Sequence, residues 1–345
     1  MTFSIVARAG GAYGVAVASK FLAVGAVVPA AEAGSGALAT QSYANVAYRP
    51  QGLALLRTGV DAAGVVAGLT AADPGQAKRQ LGVVAASGPG ASFTGDECHD
   101  WAGGQTGDGW AVQGNLLAGP QVVTALRDAW LASAPPAASG RSASGARGQA
   151  AGPSFAPASG RSASGARDQA AGPSFAPASG RSASGARDQA AGPSFAAALA
   201  ARLVAALRAG DAAGGDRRGR QSAAVLVVEP GQGYGSASDV AVDLRVDDHP
   251  DPTTELSRLL ELHTMLFGRP DPDSLTELAG PLADQVRDLL TRVGHAVSGD
   301  STAALDAALA GWAGVENLEE RIVAGKIDRL VLDHLRTSAG AAGRG

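Results

Sequence analysis

Strand-like runs of small and β-branched residues recur along most of the first 250 residues, and they constrain the fold more than any other feature. They cover residues 2–8, 14–20, 36–41, 81–86, 110–114, 223–228 and 240–245. Most of these runs are apolar enough to be buried on both faces. Helical patterns lie between several of them, and this order predicts an α+β protein with two sheets flanked by helices.

Three helical patterns are clear in this part of the chain. Leu53, Leu56 and Val60 predict one helix that ends before Asp73. Gly119-Pro120 opens a second helix, and a leucine stripe at residues 199, 203 and 207 predicts a third that ends at Gly210.

The first strand places a hydroxyl residue directly after Met1. Removal of Met1 would leave Thr2 with a free α-amine and a hydroxyl, which together supply a general base and a nucleophile. Gly-rich residues 9–13 predict a hairpin that opposes Arg8 to Gly14 and therefore Thr2 to Lys20. A cation beside Thr2 would lower the proton affinity of the α-amine. The alternatives are that Thr2 is an incidental second residue and that Lys20 is a solvated cation at a strand end.

Five segments carry a resemblance to a known group of proteins. They read MTFSIVAR, GVAVASKFLAVGAVVPAAEAG, ALATQSYANVAYRPQGLALL, WAGGQTGDGWAVQGNLLAGPQVV and GGDRRGRQSAAVLVV. From Thr2 to about His249 the chain resembles an uncharacterised bacterial family of the N-terminal-nucleophile (Ntn) hydrolase superfamily. The resemblance implies a four-layer α-β-β-α sandwich in which Thr2 begins the central sheet as the nucleophile, and it implies no particular substrate.

Two amides follow an apolar strand just before the helix at Gly119. Gln113 and Asn115 could donate to the oxyanion of a tetrahedral intermediate, an interaction often worth about 3 kcal/mol. The alternative is that they are turn amides that cap the next helix.

Two further polar clusters are candidates for substrate binding. The first follows a strand and includes Thr40, Gln41 and Asn45, although these residues equally suit a loop. The second precedes the strand at residue 223. Asp216 could fix an α-ammonium and an arginine such as Arg217 could clamp a carboxylate, or the cluster could be a buried salt-bridge network. Its remaining candidates are Gln221 and Ser222.

A repeat of 20 residues interrupts the first domain. Residues 136–155, 156–175 and 176–195 are near copies rich in Ala, Ser, Gly and Arg, with a single aromatic residue in each. This composition offers too little apolar bulk to offset the entropy of ordering the chain. We therefore expect residues 134–195 to form a disordered insertion within a domain that covers residues 1–250.

A second, helical domain is predicted after a helix and linker at residues 251–272. Thr253 or Thr254 could cap that helix. Amphipathic segments at residues 275–293 and 302–312, and a last helix carrying Leu318, Ile322 and Ile327, predict an all-helical domain at residues 273–338; we expect residues 339–345 to be disordered. Residues 312–319 resemble a small helical module that is labelled peptidoglycan-binding in proteins of the same family.

The composition of the chain bears on its partners and its cellular compartment. The formal charge of −4 gives no indication of a nucleic-acid partner, and no run is long enough to cross a bilayer. Residues 1–30 lack a signal peptide and Cys98 is the only cysteine, so we expect a cytoplasmic protein. We assign no metal and no cofactor.

The sequence therefore predicts an amidohydrolase that cleaves an amide bond of a small molecule or peptide with Thr2 as its nucleophile. The alternatives are a non-catalytic binding or assembly protein and a cell-wall-associated binder. In either alternative the C-terminal helices would mediate homo-oligomer formation or bind peptidoglycan fragments or precursors.

Overall fold

The computed structural model describes residues 2–133 and 195–342. Its strands are β1 (Thr2–Ala9), β2 (Ala12–Ser19), β3 (Pro29–Glu32), β4 (Gly36–Gln41), β5 (Gln80–Ala85), β6 (Ala91–Thr94), β7 (Gly103–Gly107), β8 (Trp110–Asn115), β9 (Ser222–Val228), β10 (Val240–Val246), β11 (Leu275–Glu277) and β12 (Lys326–Asp328). Its α-helices are α1 (Val24–Val27), α2 (Tyr48–Arg57), α3 (Ala62–Ala71), α4 (Gln121–Ala132), α5 (Phe195–Ala212), α6 (Pro252–Phe267), α7 (Gly280–Arg292), α8 (Thr302–Val315) and α9 (Arg329–Ala342). Apart from Phe195, the predicted disordered insertion lies outside the described residues.

Ten of these strands form two antiparallel sheets. One sheet has the order β10-β9-β2-β1-β8-β7, and the other has the order β3-β4-β5-β6. An apolar cluster that includes Val6, Val15 and Ala39 lies between the two sheets. The prediction of an α+β protein with two sheets is therefore confirmed.

Each sheet carries helices on its other face. Phe3 and Ile5 share an apolar cluster with Leu126 of α4 and Leu203 of α5. On the second sheet, Leu38 shares a cluster with residues of α2 and α3. Successive side chains of a strand point to opposite faces, so β1 uses odd-numbered residues against the helices and even-numbered residues against the second sheet.

The single helix predicted before Asp73 is wrong, because the segment forms α2 and α3. Gly59 adopts a left-handed φ of +84° just after α2, a conformation that ends a helix. Asp61 then caps α3 by accepting a hydrogen bond from the backbone N–H of Gly64 at 2.7 Å.

The threonine cap predicted for α6 is also wrong. The residue that precedes α6 is Asp251, which makes no side-chain capping bond, and Pro252 occupies the first turn. The hydroxyl of Thr253 instead donates to Asp211 at 2.8 Å and so ties α6 to α5.

The C-terminal region has its own apolar core, which includes Leu290, Leu305 and Trp312. This region is not all-helical, because β11 and β12 form a two-stranded antiparallel sheet. Leu318 and Ile322 therefore precede the last helix, and Ile327 lies in β12. At the other end, α9 continues through residues 339–342, where the sequence predicts a disordered tail.

A buried ion pair fixes the C-terminal region to the end of α6. Arg321 pairs with Asp328, and the two side chains are 3% and 1% exposed. The Arg321 guanidinium also donates to the carbonyl oxygens of Met265 and Thr264 in the last turn of α6. These bonds satisfy carbonyl groups that a helix end leaves without an intrahelical partner.

Candidate active site

Thr2 is almost fully buried at the start of β1, in the middle of the six-stranded sheet. It is 4% exposed, and its hydroxyl oxygen lies 3.1 Å from the hydroxyl oxygen of Ser19 at the end of β2. Across β8 it pairs with Asn115. Ser4, on the same face of β1, donates to Gln41 of the second sheet at 2.8 Å, so this face of the strand is turned towards that sheet.

The predicted register that opposes Thr2 to Lys20 is wrong by one residue. The structure pairs Arg8 with Tyr13 and Phe3 with Ala18, because Gly10 and Gly11 form a tight turn in place of a longer loop. Gly10 has a φ of +56°, which suits the turns that join twisted antiparallel strands.

A slip of one residue moves a side chain to the other face of a strand. Ser19 therefore takes the place beside Thr2 that the predicted register gives to Lys20. Lys20 itself is exposed, and its backbone N–H donates to Asp216 at 2.8 Å.

Two buried amides hold the carbonyl oxygen of Thr2 between the sheets, and a third amide, that of Gln80, joins them. Gln41 Nε2 and Asn115 Nδ2 donate to this oxygen at 3.2 and 3.5 Å. Both nitrogens also donate to Gln80 Oε1, at 2.8 and 2.9 Å. Each of the three side chains is at most 1% exposed. The network joins β1 and β8 of one sheet to β4 and β5 of the other at the level of Thr2.

Gln113 lies two residues before Asn115 on β8 and contacts Ser4. Its Nε2 donates to the Ser4 hydroxyl at 2.6 Å. Gln113 is accommodated because the facing residue of β5 is Gly82, where an added Cβ would lie 2.1 Å from Gln113 Oε1. The amide nitrogens of Gln113 and Asn115 both have partners within the protein, so neither is aimed at a substrate oxyanion.

Residues with left-handed backbone follow two of the strands that form the network. Ser42 and Tyr43, directly after β4, have φ values of 58° and 48°, and Leu116, directly after Asn115, has a φ of 51°. Such conformations cost free energy in residues other than glycine and cluster at binding sites. Tyr43 is 59% exposed, and its hydroxyl lies 3.0 Å from Nε2 of the exposed His99. We call Ser42, Tyr43, His99 and Leu116 the rim of the site.

The other candidates on this loop have structural partners. The Thr40 hydroxyl is buried and donates to the carbonyl oxygen of Asn45 at 3.4 Å. The Asn45 side chain donates to Asp73 at 3.2 Å, and Asp73 also accepts from Tyr48 and Arg79, each at 2.9 Å.

The pKa values of two groups in this cluster, the Asp73 carboxyl and the Tyr48 hydroxyl, are shifted in opposite directions. The Arg79 guanidinium holds the pKa of the Asp73 carboxyl well below its usual range. Burial, followed by the neighbouring Asp73, raises the pKa of the Tyr48 hydroxyl. Asp73 is therefore an ionised anchor for the loop that carries Tyr43 and Asn45.

The cluster before β9 is largely occupied by internal bonds. Asp216, 5% exposed, accepts from the backbone and guanidinium of Arg218 as well as from Lys20. Gln221 donates to Asp248 at 3.2 Å. The buried hydroxyl of Ser222 donates to the carbonyl oxygen of Phe21 at 2.5 Å and so holds the segment that follows Lys20.

Arg217 is an exposed arginine of this cluster. Its backbone N–H donates to the carbonyl oxygen of Leu116 at 3.0 Å, which places Arg217 beside the rim. The structure therefore brings together Thr2, Asn115 and Gln41, with Arg217 beside the rim, whereas Gln221 and Ser222 support other segments.

Sequence reasoning missed two residues of this site, Ser19 and Gln80. Ser19 was missed because the predicted register places Lys20, and not Ser19, opposite Thr2. Gln80 precedes an apolar run and has the appearance of an ordinary strand boundary. Cys98 is buried, and burial raises the pKa of its thiol, which disfavours the nucleophilic thiolate.

Within residues 2–133 and 195–342 no group of three or more His, Cys, Asp or Glu side chains could hold a metal ion. No helix in the same ranges is long and apolar enough to cross a bilayer.

The fold and the site define a mixed α+β protein built on antiparallel sheets, with a buried polar network at the start of its first strand and a C-terminal helical region. The model of the "Family of unknown function (DUF1028)" matches residues 2–152 and 149–256, so the chain belongs to this family. A second model, described as "Putative peptidoglycan binding domain", matches residues 266–335. The resemblances to an uncharacterised family and to a peptidoglycan-binding module are confirmed at this level.

One solved structure extends the comparison. The crystal structure of protein SPO2555 from Silicibacter pomeroyi, titled as a DUF1028 family protein, is 26% identical and aligns with a TM-score of 0.52. The match covers 82% of this chain and 89% of that protein. A search of curated proteins finds no match.

Proposed function

We propose that this protein is an Ntn-type amidohydrolase whose nucleophile is Thr2 after removal of Met1. The observation that carries the proposal is the burial of Thr2 at the start of a central strand, with its hydroxyl 3.1 Å from Ser19 and its carbonyl oxygen held by two amides. Two facing sheets that each carry helices on the other side are consistent with the α-β-β-α sandwich of such hydrolases.

In the proposed mechanism the α-amine of Thr2 acts as the general base. A water molecule bridges the amine and Oγ1, the amine takes the hydroxyl proton, and Oγ1 attacks the carbonyl carbon of an amide. The amine then returns the proton to the leaving nitrogen, which leaves an acyl ester on Thr2. A second water molecule, deprotonated by the amine, hydrolyses this ester.

The arrangement changes two roles that the sequence predicted. Ser19, not Lys20, is the side chain beside the Thr2 hydroxyl. Since the nitrogens of Gln113 and Asn115 have protein partners, neither amide is assigned to the oxyanion. The substrate is an amide-bearing small molecule or peptide that reaches Thr2 across the rim.

Intact-protein mass spectrometry after exposure to an α′,β′-epoxyketone tests the proposal. This reagent closes a ring only with an N-terminal nucleophile and its own α-amine. We expect one adduct on protein without Met1 and none on Thr2→Ala. Thr58→Ala, which removes an exposed hydroxyl at the end of α2, should react as the wild type does. Retention of Met1, or the absence of an adduct on protein that begins at Thr2, would refute the proposal.

A second candidate is binding of peptidoglycan fragments or precursors by the C-terminal region. The family match at residues 266–335 favours it, together with a surface groove of about 560 Å³. The polar residues that line the groove include Asp271, Asp273, Ser274, Thr276, Arg329 and Arg336.

Titration calorimetry with soluble muropeptides tests this candidate. If the chain is only a binder, Thr2→Ala should bind muropeptides as the wild type does and no wild-type turnover should be found. We expect Arg336→Gln in the groove to weaken binding and Arg292→Gln, outside the groove, to leave it unchanged. Equal binding by both arginine variants would argue against the groove.

A further inference from the structure

One buried acceptor beside Thr2 has no hydrogen-bond partner among the described residues. It is Oδ1 of Asn115, whose side chain is fully buried. Buried polar atoms are almost always paired, so an orphan in a well-packed interior needs a physical explanation. Among the described residues, the other buried amide oxygen without a hydrogen-bond partner is Gln113 Oε1, which lies so close to Gly82 that a Cβ there would clash.

The orientation of the Asn115 amide is fixed by Gln80. Gln80 Nε2 donates to the carbonyl oxygen of Gly114 at 2.7 Å and to the Thr94 hydroxyl at 2.9 Å. Gln80 Oε1 must therefore be the atom that faces Asn115, and of the two polar atoms of the Asn115 amide only Nδ2 can donate to it. Exchanging the Asn115 oxygen and nitrogen would set two acceptor oxygens against each other, so the observed placement is the one that the network allows.

We propose that Asn115 Oδ1 accepts a hydrogen bond from the free α-amine of mature Thr2, and that Gln80 is a positioning residue for Asn115. Thr2 and Asn115 are directly paired, and the Asn115 amide already reaches the Thr2 carbonyl oxygen. Removal of Met1 converts a peptide nitrogen with one N–H into an amine with two. One N–H bound to Asn115 fixes the amine and leaves its lone pair to take the hydroxyl proton. This inference rests on the proposed function and assigns Asn115 to the base instead of the oxyanion.

The test measures the rate of adduct formation with the epoxyketone as a function of pH. Protein that begins at Thr2 is released by cleavage of an N-terminal fusion, so that Met1 processing does not limit the assay. In Asn115→Asp a carboxylate faces the α-ammonium and raises its pKa, because an opposite charge favours the charged form. We expect the half-maximal rate to move to higher pH by about one unit or more.

Gln113→Glu is the matched control. It places a carboxylate in the same buried layer, but beside Ser4 instead of Thr2. We expect its midpoint to move less than that of Asn115→Asp, because its carboxylate lies beside Ser4 and farther from the α-amine. Equal shifts in the two variants, or a loss of reaction at every pH in Asn115→Asp without any shift, would overturn the assignment.

A crystal structure of the wild-type protein that begins at Thr2 decides the question even if the variants fail to fold. We expect Thr2 N within hydrogen-bond distance of Asn115 Oδ1, and an amine held by another acceptor would overturn the inference. The two proposals can fail separately. Wild-type protein that begins at Thr2 but forms no adduct refutes the nucleophile, whereas an adduct with an unchanged Asn115→Asp midpoint refutes only the role of Asn115.

Discussion

The carboxylate of Asp73 offers the clearest quantitative test of how the loop beside the site is held. It accepts four hydrogen bonds: Oδ2 receives those of Asn45, Tyr48 and Arg79, and Oδ1 receives the backbone N–H of Gly75. Asp73→Asn keeps the shape of the side chain but removes its charge. It also turns one of the two acceptor oxygens into a donor that faces another donor.

The expected cost follows from these bonds. If the oxygen of the substituted amide faces the three donors at Oδ2, its NH₂ group opposes the N–H of Gly75, and the Arg79 pair loses its charge. Hydrogen bonds to charged groups are worth about 1.5–3 kcal/mol each, so we expect the free energy of unfolding to fall by about that amount at pH 7. Asp61→Asn is the control, because asparagine caps a helix as well as aspartate does and should change stability little.

Urea denaturation between pH 2 and pH 8 measures the effect. Because the folded state lowers the pKa of Asp73, its contribution is fully present above the unfolded pKa of about 3.9 and is lost as pH falls through the folded pKa. The wild type and Asp73→Asn should therefore differ most near neutral pH and converge in acid. If the loss of stability in Asp73→Asn does not depend on pH, or is no larger than the loss in Asp61→Asn, the role of ionised Asp73 in holding the loop is refuted.

Two further changes test buried contacts elsewhere. Arg321→Met leaves Asp328 buried without its cationic partner and should lower the free energy of unfolding, measured by urea denaturation, by about 3–5 kcal/mol. Arg292→Met removes an exposed ion pair and should lower it by at most about 1 kcal/mol. Equal losses in the two variants would contradict the stabilising role of the buried pair. Gly82→Ala forces Gln113 to move and should cost about 1–3 kcal/mol, measured in the same way. Gly68→Ala, on the exposed side of α3 with its nearest neighbour at 3.6 Å, should stabilise by up to about 1 kcal/mol, and a loss there equal to that of Gly82→Ala would contradict the packing argument.

The fold was predictable where the sequence pattern had a single physical interpretation. Runs of small and β-branched residues predicted β1, β2, β4, β5, β8, β9 and β10, because such residues suit strands buried on both faces. The short strands β3, β6, β7, β11 and β12 were missed. β7 reads Gly-Gly-Gln-Thr-Gly and has no apolar alternation, so its pairing with β8 determines its conformation. Tertiary contacts override propensity in such segments.

The site was predictable in its location but not in its contacts. Each of Gln41, Gln113 and Asn115 stood out as a polar residue at the end of an apolar strand, and that pattern predicts a shared polar patch at one end of two sheets. Which atoms meet depends on register. The tight turn at Gly10-Gly11 shifted the register by one residue and exchanged Lys20 for Ser19 beside Thr2.

The same register explains why the inter-sheet face of β1 is polar at one end only. Thr2 and Ser4 face Gln41, Asn115 and Gln113, whereas Val6 faces an apolar cluster. A purely structural strand would continue the apolar face, since each buried amide must find partners that a valine does not need. Beside Thr2 one of those amides, Asn115, keeps an acceptor without a donor among the described residues. The free amine that we propose at Thr2 would supply this missing donor.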